Sequence, residues 1–166
     1  MSSSTSTRPA ITTPAEDAFC SIERTLAIVG ERWTFLILRE SLTNGATRFD
    51  EFTEVLGIAP NILTARLKTL VESGVLEKRE YRVKGSRPRM SYHPTEAGKQ
   101  LLVVLGALGQ WGDDYIPPAC GVTQTRETVH GHKKLRVGFV EDPSVLKDVD
   151  EVEFVRTPAH PLYDAA

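Results

Sequence analysis

The sequence is poor in cysteine and contains no long apolar run. Cys20 and Cys120 are the two cysteines among 166 residues, and they lie a hundred positions apart. This spacing argues against a disulfide-rich secreted scaffold and suits a reducing compartment. No stretch approaches the roughly 18 consecutive apolar residues of a membrane span, and the polar N-terminus lacks the apolar core of a secretory signal. We therefore expect a cytoplasmic protein.

Recognisable catalytic motifs are also absent. The sequence contains no GxSxG elbow, phosphate-binding loop, GxGxxG or HExxH motif. Isolated carboxylates such as Glu40 and Glu51 are explained by helix capping and surface charge. His130 and His132 have irregular spacing from Cys120 and no fourth ligand, so they are interpreted as surface-loop residues rather than metal ligands. The sequence predicts a protein that is not an enzyme and has no metal or cofactor.

An excess of positive charge is missing as well, since the formal net charge is −2. This argues against a bulk electrostatic DNA binder such as a chromatin protein. It does not argue against a regulator, because the location of the basic residues decides DNA binding rather than their sum. The apolar fraction of 40% and the charged fraction of 25% are typical of a globular protein.

Composition divides the chain into three segments. Residues 1–16 are rich in Ser, Thr and Pro, and we predict a disordered N-terminal arm there. Residues 17–116 carry the dense apolar pattern of a folded domain. Two prolines at Pro117 and Pro118 end this pattern because they cannot continue a helix. Residues 117–166 are predicted to form a β-rich extension.

The pattern within 17–116 predicts four helices, a β-hairpin and a long last helix. Apolar residues at helical spacing, with glycine or Asn-Gly stops, place the helices at about 19–29, 31–44, 47–56 and 59–73. β-forming residues around a Gly- and Pro-containing turn predict the hairpin over 75–93, and the last helix begins at Thr95. The predicted fold class is α+β: a mainly helical winged helix-turn-helix with a β-hairpin wing, a long C-terminal dimerisation helix and the small β-rich extension.

The fourth helix, 59–73, has one apolar face and one face of short polar and basic side chains. Asn can bind adenine in a bidentate manner, Thr can contact the thymine methyl group, and Lys or Arg can reach guanine or phosphate. The candidate DNA-reading residues are Asn61, Thr64, Ala65, Arg66 and Lys68. An ordinary solvated face of an amphipathic helix is the alternative interpretation.

Basic residues are concentrated in the predicted wing. Six of them occur between positions 78 and 89, with Glu80 as the single acid: Lys78, Arg79, Arg82, Lys84, Arg87 and Arg89. A wing that contacts DNA phosphates explains this concentration in a net acidic chain, although a solvated charge run would look similar. The candidate phosphate contacts are Arg82, Lys84, Arg87 and Arg89, together with Arg48 at the start of the third helix.

The last helix carries more apolar surface than a small domain can cover. Its candidate dimer-interface residues are Leu101, Leu105, Leu108 and Trp111, and the first helix adds Phe19 and Ile22. A two-fold symmetric dimer would bury them, whereas packing of the last helix on the first is the purely structural alternative. The two arrangements are compatible.

The C-terminal extension shows two strand-like alternations, at 133–140 and 149–155. They predict a small hairpin or a three-stranded unit. Such a unit could cover the core domain, lengthen a dimer interface or bind a ligand, and the sequence does not rank these roles.

Several motifs in order resemble the HxlR-type regulators, a branch related to the MarR regulators. They are Cys20–Glu40, Arg48–Phe52, Ile62–Leu70, Gly74–Leu76 and Tyr92–Gly98. The resemblance implies a dimeric winged-helix repressor or activator that binds operator DNA with the fourth helix and the wing. Ala59 and Asn61 depart from the family pattern, so no operator sequence is implied.

Cys20 stands where many members of that family carry a cysteine at the start of the first helix. The resemblance therefore implies a candidate sensor of oxidants or small electrophiles. A helix N-terminus lowers a thiol pKa, while nearby acids such as Glu23 oppose this; a small buried cysteine at the dimer seam is the alternative. A winged-helix module that docks its basic wing on an acidic protein partner is the competing functional hypothesis.

Overall fold

The computed structural model describes residues 17–83, 85 and 87–163. The predicted N-terminal arm, residues 1–16, and Lys84 of the wing lie outside the described residues. Contacts divide the chain into two compact units, the first ending at Lys99 and the second beginning at Gln100. The division predicted between 116 and 117 on composition stays a prediction. None of the helices in the described part is long and apolar enough to cross a membrane.

The first unit has the element order of a winged helix-turn-helix. Its elements are α1 (Ser21–Val29), α2 (Arg32–Thr43), α3 (Phe49–Leu56), α4 (Pro60–Glu72), β1 (Leu76–Tyr81), β2 (Arg89–Pro94) and the short α5 (Glu96–Lys99). The predicted helices and hairpin are confirmed, with ends shifted by one or two residues, as is common where helix termini fray.

The turn between α3 and α4 sets the direction of α4. Gly57 ends α3 with a φ of 60°, a left-handed conformation that glycine adopts without steric cost. Pro60 occupies the first turn of α4, where its missing N–H is not needed. Phe52 of α3 and Leu63 and Leu67 of α4 are then almost completely buried. These contacts hold the inner face of α4 on the domain and leave its outer face accessible.

The wing hairpin is attached to the helices at its base. β1 and β2 pair antiparallel, with Leu76 opposite Pro94 and Tyr81 opposite Arg89. The backbone N–H of Tyr92 donates to the carbonyl oxygen of Thr47 at 2.7 Å. The segment before α3 therefore lies along β2 as a short third segment of the sheet. A Cβ on Gly98 would lie 2.1 Å from the carbonyl oxygen of Val75; glycine is therefore required where α5 passes the start of the hairpin.

The second unit consists of α6 (Leu101–Tyr115) and an antiparallel pair of strands, β3 (Gln124–Thr128) and β4 (Val152–Arg156). The single long last helix predicted from Thr95 forms two segments, α5 and α6, separated by Gln100.

The strand prediction for the extension was partly wrong. The strand expected at 149–155 occurs at 152–156, after a 3-10 turn at 149–151. Residues 133–140 form no strand and contribute an isolated bridge between Lys134 and Glu127. The start of this segment does bond to β3, since the carbonyl of Lys133 accepts from Thr128 at 3.0 Å and the N–H of Leu135 donates to Arg126 at 2.7 Å. At Val137 the pairing ends, because its N–H and carbonyl both bond to the side-chain amide of Gln110, at 2.9 Å each. The Gln110 side chain thus makes the hydrogen bonds to Val137 that a neighbouring strand would otherwise make.

Candidate nucleic-acid interface

The outer face of α4 presents four of the five predicted reading residues to solvent. Asn61, Thr64, Ala65 and Lys68 are exposed, whereas Leu63, Leu67 and Leu70 on the opposite face are buried. The Thr64 hydroxyl donates to the carbonyl oxygen of Pro60 at 2.8 Å, which leaves its methyl group and an acceptor lone pair for a partner. Lys68 lies 3.7 Å from Glu72, an exposed pair that water and salt weaken.

Arg66 differs from the other reading candidates because it is held by its own domain. Its side chain is 29% exposed, and Nη2 lies 3.7 Å from Oε2 of Glu31. Its Nε is buried without a hydrogen-bond partner among the described residues. This placement gives Arg66 a role in connecting α4 to the start of α2.

The wing extends its basic side chains into solvent. Arg82, Arg87 and Arg89 are exposed. Arg82 lies 3.5 Å from Glu80, and Arg79 lies 2.6 Å from Glu77, so part of the positive charge is compensated locally. Within the described part of the chain, Arg87 and Arg89 form no such pair. Their charge is therefore the most available for phosphate groups.

Arg48 connects α3 to the wing. Its guanidinium carbon lies 4.9 Å from the centre of the Tyr81 ring, and its Nε lies 3.8 Å from Glu51. Stacking on an aromatic ring restrains an arginine while leaving its edge available for hydrogen bonds. Tyr81 was not among the predicted residues; an aromatic residue ending a basic strand is the sequence signal that could have identified it.

The two isolated carboxylates have structural roles. Glu51 accepts from the backbone N–H groups of Thr47 and Arg48, at 2.8 and 2.9 Å, which confirms helix capping. The interpretation of Glu40 as surface charge was wrong. Its side chain is buried and accepts from Nε of Arg39 at 2.8 Å and from Nδ2 of Asn44 at 2.7 Å. These bonds compensate the carboxylate for the water it loses on burial.

Cys20 occupies the N-cap position of α1 and is exposed. The backbone N–H groups of Glu23 and Ile22 lower the pKa of its thiol, and the nearby charge of Arg24 acts in the same direction. Cys120 is also exposed.

The predicted dimer residues include several exposed apolar side chains. Phe19, Ile22, Leu108 and Trp111 are more than half exposed, while Leu101 and Leu105 are half-buried. On α6 the exposed stripe also includes Val104 and Tyr115, which were not among the predicted dimer-interface residues. A spacing of i, i+4, i+7 and i+11 places four of the exposed residues on one helix face: Val104, Leu108, Trp111 and Tyr115.

His132 of the extension lies beside acidic side chains. Nδ1 of His132 lies 3.1 Å from Oε1 of Glu153. Among residues 17–83, 85 and 87–163, no group of three or more His, Cys, Asp or Glu side chains is arranged to hold a metal ion.

Comparison with known proteins assigns more than half of the chain to one family. Residues 28–120 match the family model described as HxlR-like helix-turn-helix. An uncharacterised HTH-type transcriptional regulator of Mycobacterium tuberculosis is 45% identical over 98 residues, which are 58% of this chain and 60% of the relative. The match thus spans less than two thirds of that relative's length.

Solved structures show the same fold. The crystal structure of PA1607, described as a candidate transcription factor, superposes with a TM-score of 0.66 at 33% identity and covers 76% of this chain and 87% of that chain. The redox regulator HypR in its reduced form superposes with a TM-score of 0.51 at 26% identity, covering 57% of this chain and 92% of that chain. The family and these relatives are regulators rather than enzymes, in agreement with the prediction. The chain therefore belongs to the HxlR family of helix-turn-helix transcription regulators.

Proposed function

We propose that the chain acts as a cytoplasmic homodimer that binds operator DNA sequence-specifically. In this proposal α4 enters the major groove, where Asn61, Thr64, Ala65 and Lys68 contact base edges. The wing lies along the backbone, where Arg82, Lys84, Arg87 and Arg89 contact phosphates and Arg48 adds a contact from the start of α3. Arg66 supports α4 in addition to any contact with DNA.

The observation that carries this proposal is the pairing of two accessible surfaces in one compact unit. The outer face of α4 is free of large apolar side chains, and the wing beside it in sequence carries the exposed arginines. A net charge of −2 gives the chain no overall electrostatic attraction to DNA. Concentrating its positive charge on one hairpin therefore favours a local phosphate contact.

Fluorescence anisotropy with DNA from upstream of the protein's own gene tests the proposal. We expect Lys68→Ala to weaken binding to the specific sequence by about 1–3 kcal/mol and to relax sequence preference. We expect Arg87→Ala to weaken binding to all sequences and to reduce the salt slope by about one unit, because one phosphate contact is lost. Lys133→Ala, an exposed lysine of the second unit, is the matched control and should change neither property.

Unchanged affinity in both Lys68→Ala and Arg87→Ala would contradict the DNA-binding geometry. The reduced dimer could instead fail to bind DNA at modest salt. In that case, binding of an acidic protein partner that Arg87→Ala abolishes would support the protein-interaction module.

The homodimer is proposed from the exposed apolar stripe of α6 and the exposed Phe19 and Ile22 at the start of α1. Monomeric proteins rarely expose large apolar side chains such as Leu108 and Trp111 together on one helix face. A second copy that presents the same face covers both stripes at once, which is the usual arrangement of a two-fold dimer.

Thiol sensing through Cys20 is a second proposal, layered on DNA binding. It is favoured by an exposed thiol whose pKa is lowered by helix N–H groups, and by the similarity to the redox regulator HypR. A mild oxidant or a quinone should then release DNA from the native dimer but not from Cys20→Ser. Equal release from the serine variant would contradict sensing while leaving DNA binding intact.

A further inference from the structure

The second unit contains an apolar pocket of about 320 Å³. This volume lies at the lower end of the range for small-molecule sites, about 300–1,000 Å³. One side is formed by α6, through Leu102, Val103 and Gly106, and the strands contribute Val152 and Phe154. The pocket lies entirely within residues 102–154, so it is separate from the surfaces assigned to DNA.

Glycine at position 106 lets other lining residues approach α6 closely. A Cβ on Gly106 would lie 3.1 Å from Cγ2 of Val137, 3.7 Å from Cδ of Arg126 and 3.9 Å from Cζ of Phe154. All three of these neighbours line the pocket. Val137 is held against α6, because the Gln110 amide bonds both of its backbone groups at 2.9 Å. The pocket is thus a built feature of the unit.

The charged residues that line this pocket all have the same sign. They are Arg126, Arg136 and Lys147, and the lining contains no acid. Each has an acidic partner outside the lining: Asp113 at 3.2 Å, Asp114 at 2.6 Å and Glu151 at 3.1 Å, respectively. The Arg126 side chain is 11% exposed, and its Nε is buried without an acceptor in the described residues. Arg136 and Lys147 form exposed ion pairs, which water weakens. The pocket therefore offers one unmatched donor, Nε of Arg126, and partly compensated positive charge around an apolar interior.

We propose that this pocket binds a small amphipathic acid, with a hydrocarbon body against the apolar walls and a carboxylate held by the basic residues. An apolar interior favours a hydrocarbon body because it is removed from water. The unmatched Nε of Arg126 and the two exposed cations, with no acid in the lining, favour an anion over an amine of the same length. Octanoate is the simplest molecule of this class.

Titration calorimetry of the full chain at low salt, without DNA, tests the proposal with three probes of equal chain length: octanoate, octylamine and octanol. Octanoate should bind at least tenfold more tightly than octylamine, with octanol between them. The double variant Arg136→Gln with Lys147→Gln removes two cations whose side chains are 66% and 47% exposed, so the fold should tolerate it. It should weaken octanoate binding about tenfold and leave octanol unchanged.

Lys133→Gln is the matched control, since this exposed lysine does not line the pocket, and it should bind octanoate as the native chain does. Equal affinity for octanoate and octylamine, or an unchanged double variant, would overturn the proposal. Absence of octanoate binding, together with self-association that the double variant abolishes, would assign the pocket to a second copy and also overturn it. Because DNA is absent from the measurement, its outcome is independent of the proposed DNA binding.

Discussion

Two side chains at helix N-termini, those of Cys20 and Glu51, interact with backbone N–H groups. Cys20 illustrates this, because the N–H groups of the first turn of α1 stabilise its thiolate more than burial opposes it. Glu51 is placed in the same way by the N–H groups of Thr47 and Arg48. In both cases a helix end supplies unpaired donors, and an anionic or acceptor side chain meets them.

At the residue scale, the lowered pKa of Cys20 predicts a shifted alkylation profile. Folding favours the thiolate, so the thiolate fraction at neutral pH is higher in the folded than in the unfolded chain. The rate of reaction with iodoacetamide should reach half its maximum below pH 8.5, the approximate ordinary value of a free thiol. The measurement uses Cys120→Ser so that Cys20 is the reacting group. In concentrated urea the midpoint should return to about 8.5, and equal midpoints in the two conditions would contradict the prediction.

At the scale of elements, the turn between α3 and α4 is the joint on which the candidate interface depends. Gly57 has a φ of 60°, and a Cβ placed on it would meet no atom of the described residues within 4 Å. The constraint at this position is therefore conformational, with no steric crowding by neighbours. Because α4 begins at Pro60, three residues after this glycine, a change that opens the turn would also disturb the packing of the buried Leu63 and Leu67.

Gly57→Ala should therefore destabilise the fold by about 1–2 kcal/mol, the cost of a left-handed conformation for an ordinary residue. Gly57→Asn is the matched control and should cost less, because asparagine tolerates this conformation. Urea unfolding of the two variants and the native chain measures the difference. Equal stability of the alanine variant and the native chain would show that the turn adjusts without strain.

At the scale of the whole molecule, the exposed apolar stripe on α6 predicts the oligomeric state. Trp111→Lys places a charge in the stripe and should shift the protein from dimer to monomer at micromolar concentration, because a buried unpaired charge is costly. Phe139→Lys is the matched control, since Phe139 is fully exposed but lies outside α6. Sedimentation equilibrium measures both. A native chain that is already monomeric, or an unaffected Trp111→Lys dimer, would contradict the proposed interface.

The sequence by itself determined the winged-helix architecture. Helical spacing, glycine stops and the β-forming hairpin are local signals, and each is decided by residues a few positions apart. The concentration of basic residues in the wing and the polar face of α4 follow directly from composition and periodicity. The family motifs are local in the same sense, since they lie within single elements or turns.

Only the tertiary structure decided which side chains meet across the chain. Arg66 was indistinguishable from its neighbours until its placement near Glu31 became visible, and Glu40 looked like surface charge until its burial was known. Residues 133–140 alternate like a strand, yet the amide of Gln110 satisfies the backbone of Val137. The pocket likewise joins α6 to residues of β4 far along the chain. Such contacts depend on packing between distant segments of the chain, so the local sequence pattern does not predict them.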